Sequence, residues 1–214
     1  MASPHYIAIE GVIGVGKTTL AKKLADRFNG RLVLERFDEN PFLPDFYKNP
    51  VYNAFTTQIF FLLSRYRQLN QLHNYDLFHE AIIADYMFEK DAIFANINLS
   101  DLEIRLYNEV ARHLASEIPK PNLVIYLQAS SLALMKRIRK RGRNYEKKIP
   151  ERYIENLVEA YEHYFFNYRE SALLVINTER LDLEVDLVID ELFHRLEKPI
   201  RGTEFYNPDV TLWE

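Results

Sequence analysis

The sequence contains no cysteine among its 214 residues. This absence excludes a disulfide scaffold, thiolate zinc sites, iron–sulfur clusters and a cysteine nucleophile. The chain also lacks an apolar run of the roughly 18 residues that a membrane span needs, and its first residues lack a signal-peptide pattern. With 27 basic and 31 acidic residues, the net charge of −4 offers no cationic field for nucleic acid or an anionic membrane. We therefore expect a cytoplasmic globular protein that binds neither.

Glycine is scarce as well, with six residues in the whole chain. Three of the six, Gly11, Gly14 and Gly16, fall within six positions. Glycine is required where the backbone adopts unusual angles or closely approaches a ligand. The clustering therefore indicates a loop in which the backbone lies close to a bound group.

Short apolar runs alternate with segments of helical periodicity along most of the chain. The predicted strands are 6–10, 31–35, 81–85, 123–127 and 173–176. The predicted helices are 17–28, 51–72, 91–97, 100–118, 131–141, 151–168 and 184–196, and the three prolines in 38–50 predict an irregular connection. This alternation is typical of an α/β fold. We expect one domain over 1–214, with a five-stranded parallel sheet flanked by helices on both faces.

Residues 11–18 read Gly-Val-Ile-Gly-Val-Gly-Lys-Thr and match the P-loop pattern G-x-x-x-x-G-K-[ST] in full. The loop lies between a predicted strand and a predicted helix, where backbone N–H groups and the helix N-terminus can bind phosphate. Lys17 is expected to reach the β- and γ-phosphates of ATP, and the Thr18 hydroxyl to bind Mg²⁺. The predicted nucleotide-binding residues are Gly11, Val12, Ile13, Gly14, Val15, Gly16, Lys17, Thr18 and Thr19.

Three apolar strands end in an acid, namely Glu10, Glu35 and Asp85. Ligands of parallel sheets bind at the carboxyl ends of the strands. Phosphoryl transfer to a hydroxyl requires a base and a carboxylate that holds the metal or its waters. Glu35 and Asp85 can divide these two tasks; alternatively, each merely ends its strand in solvent. The chain carries neither of the N-K-x-D and D-x-x-G motifs of Ras-type GTPases.

Eight lysines and arginines fall between positions 136 and 148. Arg137, Arg141 and Arg143 are spaced by four and two residues across a helix end and Gly142. Such a segment can fold several guanidinium groups over transferring phosphates, which predicts an arginine-rich lid at about 137–148. A solvated helix face and a nucleic-acid patch are the alternatives.

Several motifs together resemble the deoxyribonucleoside kinase family, in particular its bacterial deoxyadenosine/deoxyguanosine kinase branch. Besides the P-loop, they are Tyr6-Ile-Ala-Ile-Glu-Gly, Asp38-Glu-Asn-Pro-Phe-Leu, Ala84-Asp85-Tyr86, Pro119-Lys-Pro-Asn, Arg137-x-x-x-Arg141-Gly-Arg143 and Lys147-Lys-Ile-Pro. The resemblance covers roughly 6–196, and the tail 197–214 has no match and no assigned role. The family implies a P-loop kinase fold and a homodimer.

The resemblance further implies an ATP- and Mg²⁺-dependent kinase that phosphorylates the 5′-hydroxyl of a deoxyribonucleoside, with purines preferred, in nucleotide salvage. Glu35 matches the base, and Lys17, Asp85, Arg137, Arg141 and Arg143 match the residues around the transferred phosphate. Tyr47 and Glu146 match a pair that binds the sugar 3′-hydroxyl. Gln58 matches the residue that reads the base edge, and Arg65 and Asp91 match a charged pair that faces the base.

Gln58 and Arg65 can also be singled out without the resemblance to the family. They are seven residues apart, and therefore lie on one face of an otherwise apolar helix. Polar groups on such a face need partners, which a nucleobase or a structural ion pair can supply. The chain departs from the family at Tyr86 and Met87, where many members carry an arginine and a serine after the acid. Arg36, beside the expected base, is a candidate for the missing cation.

Two other functions remain open at this stage. A nucleoside monophosphate kinase of the thymidylate kinase type shares the P-loop, the strand-end acids and an arginine lid. Its acceptor is a phosphate, which needs a further cation. A catalytically inactive nucleotide-binding subunit of the same fold is the second alternative, and the presence of Lys17, Thr18, Glu35 and Asp85 weighs against it.

Overall fold

Six parallel strands form one sheet in the order β2-β3-β1-β4-β5-β6. The strands are β1 (Tyr6–Glu10), β2 (Arg31–Val33), β3 (Ile82–Ala84), β4 (Leu123–Gln128), β5 (Ala172–Asn177) and β6 (Thr203–Tyr206). The computed structural model describes residues 6–73, 79–143 and 145–207. Residue 144 of the expected lid and residues 208–214 of the tail lie outside the described residues.

Helices connect and flank the strands of this sheet. They are α1 (Lys17–Arg27), α2 (Leu43–Lys48), α3 (Pro50–Asn70), α4 (Lys90–Asn98), α5 (Asp101–Ala115), α6 (Ser131–Arg141), α7 (Glu151–Phe166) and α8 (Asp186–Leu196). Three short 3₁₀ segments cover Phe37–Glu39, Gln71–His73 and Glu146–Lys148. Every residue of β1 is buried, as expected for a strand covered on both faces.

The expected parallel sheet flanked by helices is confirmed, but the expected count of five strands is wrong. The sixth strand, β6, comes from the tail and pairs in parallel with β5, so that Leu173 lies opposite Thr203 and Ile176 opposite Tyr206. Its side chains alternate between exposed and half-buried. A short edge strand of this kind carries no apolar run, which is why the sequence pattern did not indicate it.

The expected irregular connection over 38–50 is also wrong in part, because α2 lies within it. Pro44 occupies the first turn of α2, where proline needs no N–H partner. Leu43 and Phe46 are buried against α3, which gives the short helix an apolar face. Tertiary packing, rather than length or propensity, therefore stabilises this helix.

Local end signals define two helices that matter for the site. Ser100 and Glu103 form the capping box that begins α5. The Ser130 hydroxyl accepts the N–H of Ala133 at the start of α6, and Gly142 ends that helix with φ at 73°. The observed bounds of α6 are those predicted from the sequence, so Arg137 and Arg141 of the expected lid lie in this helix and Arg143 follows it.

The core is formed where the helices pack on the sheet. In α7 the buried residues Ile154, Leu157, Tyr161 and Phe165 recur at helical spacing. Leu20 and Leu24 of α1 are likewise buried, with Phe28 just beyond that helix. Among the described residues, no helix combines the length and apolar character needed to cross a bilayer.

Candidate active site

The P-loop connects β1, in the interior of the sheet, to the first turn of α1. Gly16 precedes α1 with φ at 110°, and Gly11 has φ at 146°. A Cβ atom on Gly11 would lie 2.4 Å from the backbone oxygen of Leu127, so no other residue fits this position without displacing β4. The loop therefore presents bare backbone at a helix N-terminus, which is the geometry that binds phosphate.

Lys17 lies across the mouth of this loop. Its Nζ donates to the backbone oxygens of Gly11 at 2.7 Å and Val12 at 3.2 Å. Desolvation and the nearby ammonium of Lys90 lower the pKa of Lys17. A bound polyphosphate would favour the charged form, so the site fits an anionic nucleotide.

Thr18 and Asp85 meet at the same edge of the sheet. The Thr18 hydroxyl donates to Asp85 Oδ2 at 2.5 Å, and Asp85 Oδ1 accepts the backbone N–H of Glu35 at 2.8 Å. In the described part of the chain no three acidic or histidine side chains come together to hold a metal. One hydroxyl and one carboxylate fit Mg²⁺, which takes most of its ligands from phosphate oxygens and water.

Glu35 projects into a cavity beside the P-loop, where two cations contact its carboxylate. Oε1 accepts hydrogen bonds from Arg65 Nε at 2.9 Å and NH2 at 2.5 Å, and Oε2 accepts one from Lys90 Nζ at 2.5 Å. Burial alone would raise the pKa of Glu35. The ammonium of Lys90 and the guanidinium of Arg65 instead hold that pKa well below its ordinary value.

Arg65 also contacts Asp91, so the predicted charged pair exists. The Arg65 guanidinium donates to Asp91 Oδ1, and the Tyr107 hydroxyl donates to Asp91 Oδ2 at 2.8 Å. Burial raises the pKa of Asp91 to about 6, although Arg65 and Tyr107 both favour the carboxylate form. Arg65 therefore bridges Glu35 and Asp91 and fixes the orientation of the Glu35 carboxylate.

Gln58 and its neighbour Thr57 line the far part of the same cavity. Both residues are almost fully buried, at 2% and 1% exposure. Gln58 Oε1 and Thr57 Oγ1 have no hydrogen-bond partner in the described structure. Buried polar atoms without partners are rare and destabilising, so these two are positioned for a ligand that supplies a donor or an acceptor.

Aromatic rings form most of the remaining cavity wall. They belong to Phe37, Phe46, Tyr47, Phe61, Phe94, Tyr145 and Tyr153. The rings of Tyr47 and Tyr145 stack with centroids 6.0 Å apart. A flat apolar slot with a few polar groups suits a nucleobase.

The structure brings Tyr47 and Glu146 to the same cavity, but two arginines of the expected lid bind the carboxylate of Glu146. Its carboxylate accepts two bonds from Arg141, at 3.1 Å from Nε and 2.7 Å from NH2. Arg143 NH1 lies 3.4 Å from Glu146 Oε1, and the Arg143 guanidinium is 4.2 Å from the centre of the Phe37 ring. Two of the three lid arginines thus border the cavity.

The third arginine of the expected lid, Arg137, is bound beside the P-loop. Arg137 donates to the Thr178 hydroxyl at 3.1 Å and approaches the backbone oxygen of Val15 at 3.5 Å. It lines a second groove with the P-loop and residues 179–184. The sequence did not indicate this last segment, which follows β5 at the same edge of the sheet and closes the nucleotide side.

The two positions after Asp85, where many members of the family carry an arginine and a serine, supply no cation. Tyr86 and Met87 are buried in the core, and the Tyr86 hydroxyl donates to Gln68 at 3.1 Å. Arg36 is not the substitute: its side chain is 59% exposed and pairs with Glu39 at 3.5 Å. Lys90 is a further cation that lines the cavity and contacts Glu35, and sequence reasoning missed it although it directly precedes Asp91.

Comparison with known proteins places these features in a family. A family model described as deoxynucleoside kinase matches residues 7–200. The deoxyguanosine kinase of Bacillus subtilis is 42% identical over 163 residues, which are 76% of this chain and 79% of that protein. The deoxyadenosine kinase of Lactobacillus acidophilus is 29% identical over 197 residues, 86% of this chain and 90% of that one. A structure of deoxyadenosine kinase from M. mycoides with bound dATP superposes with a TM-score of 0.78 at 29% identity, covering 91% of this chain and 100% of that one.

Proposed function

Because the chain belongs to the deoxynucleoside kinase family, we propose that it transfers the γ-phosphate of ATP to the 5′-hydroxyl of a purine deoxyribonucleoside. The product is a deoxynucleoside monophosphate for nucleotide salvage. One observation carries the proposal: Lys17 and Thr18 of the P-loop line the same cavity as Glu35 and Gln58. A donor phosphate and an acceptor nucleoside can therefore meet at Glu35.

The transfer is a single displacement at phosphorus. The 5′-oxygen forms a bond to the γ-phosphorus while the bond from that phosphorus to the bridging oxygen breaks. ADP leaves with the electron pair, and the hydroxyl proton passes to the carboxylate of Glu35. The backbone hydrogen bond to Asp85 and the guanidinium of Arg65 hold Glu35 in place for this step.

Negative charge develops on the phosphoryl group during transfer. Cations on both the donor side and the acceptor side of the site are needed to stabilise it. Lys17 serves the donor phosphates, and Arg137 lies along the nucleotide groove. Arg141 and Arg143 border both the groove and the cavity, so they can bind the phosphoryl group in transit. When bound through Thr18 and the water shell ordered by Asp85, Mg²⁺ supplies charge neutralisation on the phosphate oxygens.

Acceptor specificity follows from the far part of the cavity. We assign Tyr47 and Glu146 to the 3′-hydroxyl, Gln58 to the edge of the base, and Arg65 with Asp91 to the charged pair that faces the base. The preference for a purine is supported by relatives named as deoxyguanosine and deoxyadenosine kinases. Those names do not favour a monophosphate kinase or an inactive subunit.

The assay for this function is transfer from γ-labelled ATP, with Mg²⁺, to eight nucleosides and their monophosphates. We expect labelled deoxynucleoside monophosphates, with deoxyadenosine or deoxyguanosine as the best acceptor. Label on nucleoside monophosphate acceptors alone would contradict the proposal. Transfer to neither set, with ATP bound, would also contradict it and favour the inactive subunit.

Glu35→Ala tests the base directly. Turnover should fall by about 10²–10⁴-fold, the usual contribution of a general base. Glu39→Ala is the matched control, since Glu39 is exposed and pairs with Arg36 nearby. If Glu35→Ala stays within a few-fold of the unmodified enzyme, then Glu35 is not the base.

We further propose that the enzyme acts in the cytoplasm as a homodimer. Leu102 and Leu106 lie one turn apart on α5 and are 73% and 52% exposed, which supports a protein partner on this face. Light scattering should give twice the mass of 25.4 kDa. A monomer mass would overturn the dimer, and activity confined to a membrane fraction would overturn the location.

A further inference from the structure

Two buried cations share the carboxylate of Glu35, but they are bound very differently. Two nitrogens of Arg65 donate hydrogen bonds to Oε1, and a third nitrogen of Arg65 donates to Asp91. Lys90 contacts Oε2 at 2.5 Å, and in the described part of the chain no second hydrogen-bond acceptor is found for its ammonium. Its Nζ otherwise lies 5.9 Å from the centre of the Phe94 ring. An ammonium carries three N–H donors, so donors of Lys90 remain available within the cavity.

Lys90 lies among the charged residues that line the cavity. Its side chain is only 6% exposed, and it lines the same cavity as Lys17, Thr18 and Asp85. Its charge is also felt by Lys17, whose pKa it helps to lower. The ammonium therefore lies beside Glu35, in the same cavity as the P-loop lysine.

The geometry of Glu35 determines where an acceptor hydroxyl can donate its proton. Oε1 already accepts two bonds from Arg65, which leaves Oε2 as the more available oxygen. Oε2 is the atom that holds Lys90. A hydroxyl that donates to Oε2 consequently lies next to the Lys90 ammonium, and its oxygen can accept a hydrogen bond from that group.

We propose that Lys90 is a catalytic residue that donates to the acceptor 5′-oxygen and to the incoming phosphoryl group. This rests on the proposed function. In the absence of substrate Lys90 neutralises Glu35. When the hydroxyl binds Oε2, an N–H group of Lys90 donates a hydrogen bond to the 5′-oxygen. This bond stabilises the negative charge that forms on the 5′-oxygen as it loses its proton. As the phosphorus–oxygen bond forms, the same charge opposes the negative charge on the transferred group.

Lys90→Met and Lys90→Arg test the role, with Lys22→Met on the exposed side of α1 as the matched control. We expect Lys90→Met to lower turnover by about 10²-fold or more, as removal of one such donor does. Nucleoside binding by calorimetry should change by less than about threefold. Lys90→Ala, which also removes the lysine stem, should lose turnover as well, and added ethylammonium should restore part of it by entering the vacated space. A lysine with a purely structural role would give no such rescue.

Lys90→Arg keeps a cation in the cavity and should retain turnover within about tenfold of the unmodified enzyme. If thermal melting shows that Lys90→Met does not fold, the turnover of folded Lys90→Arg is the test. A loss of turnover beyond 10²-fold in Lys90→Arg would overturn the proposal. Turnover of Lys90→Met within threefold of the unmodified enzyme, or a loss in folded Lys90→Ala that ethylammonium does not reverse, would overturn it too. The unmodified enzyme is assayed first: no transfer to deoxynucleosides there would contradict the proposed function, whereas transfer with an unaffected Lys90→Met contradicts the role of Lys90 alone.

Discussion

The hydroxyl of Thr18 donates to the carboxylate of Asp85 at 2.5 Å, although the two residues are 67 positions apart in the chain. The other oxygen of Asp85 holds the backbone N–H of Glu35 at 2.8 Å. One carboxylate therefore connects the residue expected to bind Mg²⁺ with the residue expected to act as base. A change at Asp85 should affect both functions.

We expect Asp85→Asn to raise the Mg²⁺ concentration that gives half-maximal activity by about 10- to 100-fold. Asparagine can still accept the N–H of Glu35, but it carries no charge to order the metal's water shell. Activity measured across a Mg²⁺ titration checks this, with Asp26→Asn on the exposed face of α1 as the control. An unchanged Mg²⁺ requirement would remove Asp85 from the metal site.

Gln58→Met should separate stability from activity. The substitution removes a buried oxygen that has no hydrogen-bond partner among the described residues, which should raise the free energy of unfolding by about 1 kcal/mol. For a chain of this length the melting temperature should rise by about 2–4 °C. At the same time kcat/KM for the preferred nucleoside should fall at least about tenfold, because the base loses a hydrogen-bond partner. A lower melting temperature with unchanged kcat/KM would mean that Gln58 is structural.

Arg141→Ala should reduce turnover by about 10²–10³-fold, because the lid loses a cation for the transferred group. It should also release the Glu146 carboxylate, which Arg141 holds by two hydrogen bonds. Lys136→Ala, on the exposed side of the same helix, should leave turnover unchanged. Steady-state kinetics at saturating ATP distinguish the two variants. Equal losses in both would indicate a general effect of charge on α6 rather than a specific lid residue.

Gly11→Ala and Gly202→Ala form a matched pair, since both glycines have positive φ values of 146° and 62°. A Cβ at Gly11 would lie 2.4 Å from a backbone oxygen, whereas nothing lies within 4 Å of one at Gly202. Gly202→Ala should destabilise by about 1 kcal/mol, the usual cost of the left-handed region. Gly11→Ala should destabilise the fold further and abolish ATP binding, measured by thermal melting and calorimetry. Equal stability losses would contradict the steric account.

Local signals in the sequence were reliable where neighbouring residues alone determine the structure. The P-loop glycines, the capping box of Ser100 with Glu103, and the Gly142 stop of α6 each depend on contacts within a few residues. The sequence likewise indicated the helix α7, which begins at Glu151 as predicted. The resemblance to the kinase family rests on the same short motifs, and the comparison with known proteins confirmed the family.

What the sequence by itself determined is thus the set of local elements, the phosphate loop and the residue types of the site. Only the tertiary structure decided which distant groups meet. It paired β6 with β5, engaged Glu146 with two lid arginines, and placed the ammonium of Lys90, rather than Arg36, on the carboxylate of Glu35. The physical reason is that burial and ion pairing join residues far apart in the chain. A single lysine in a sequence does not reveal whether its charge will face water or a carboxylate in a cavity.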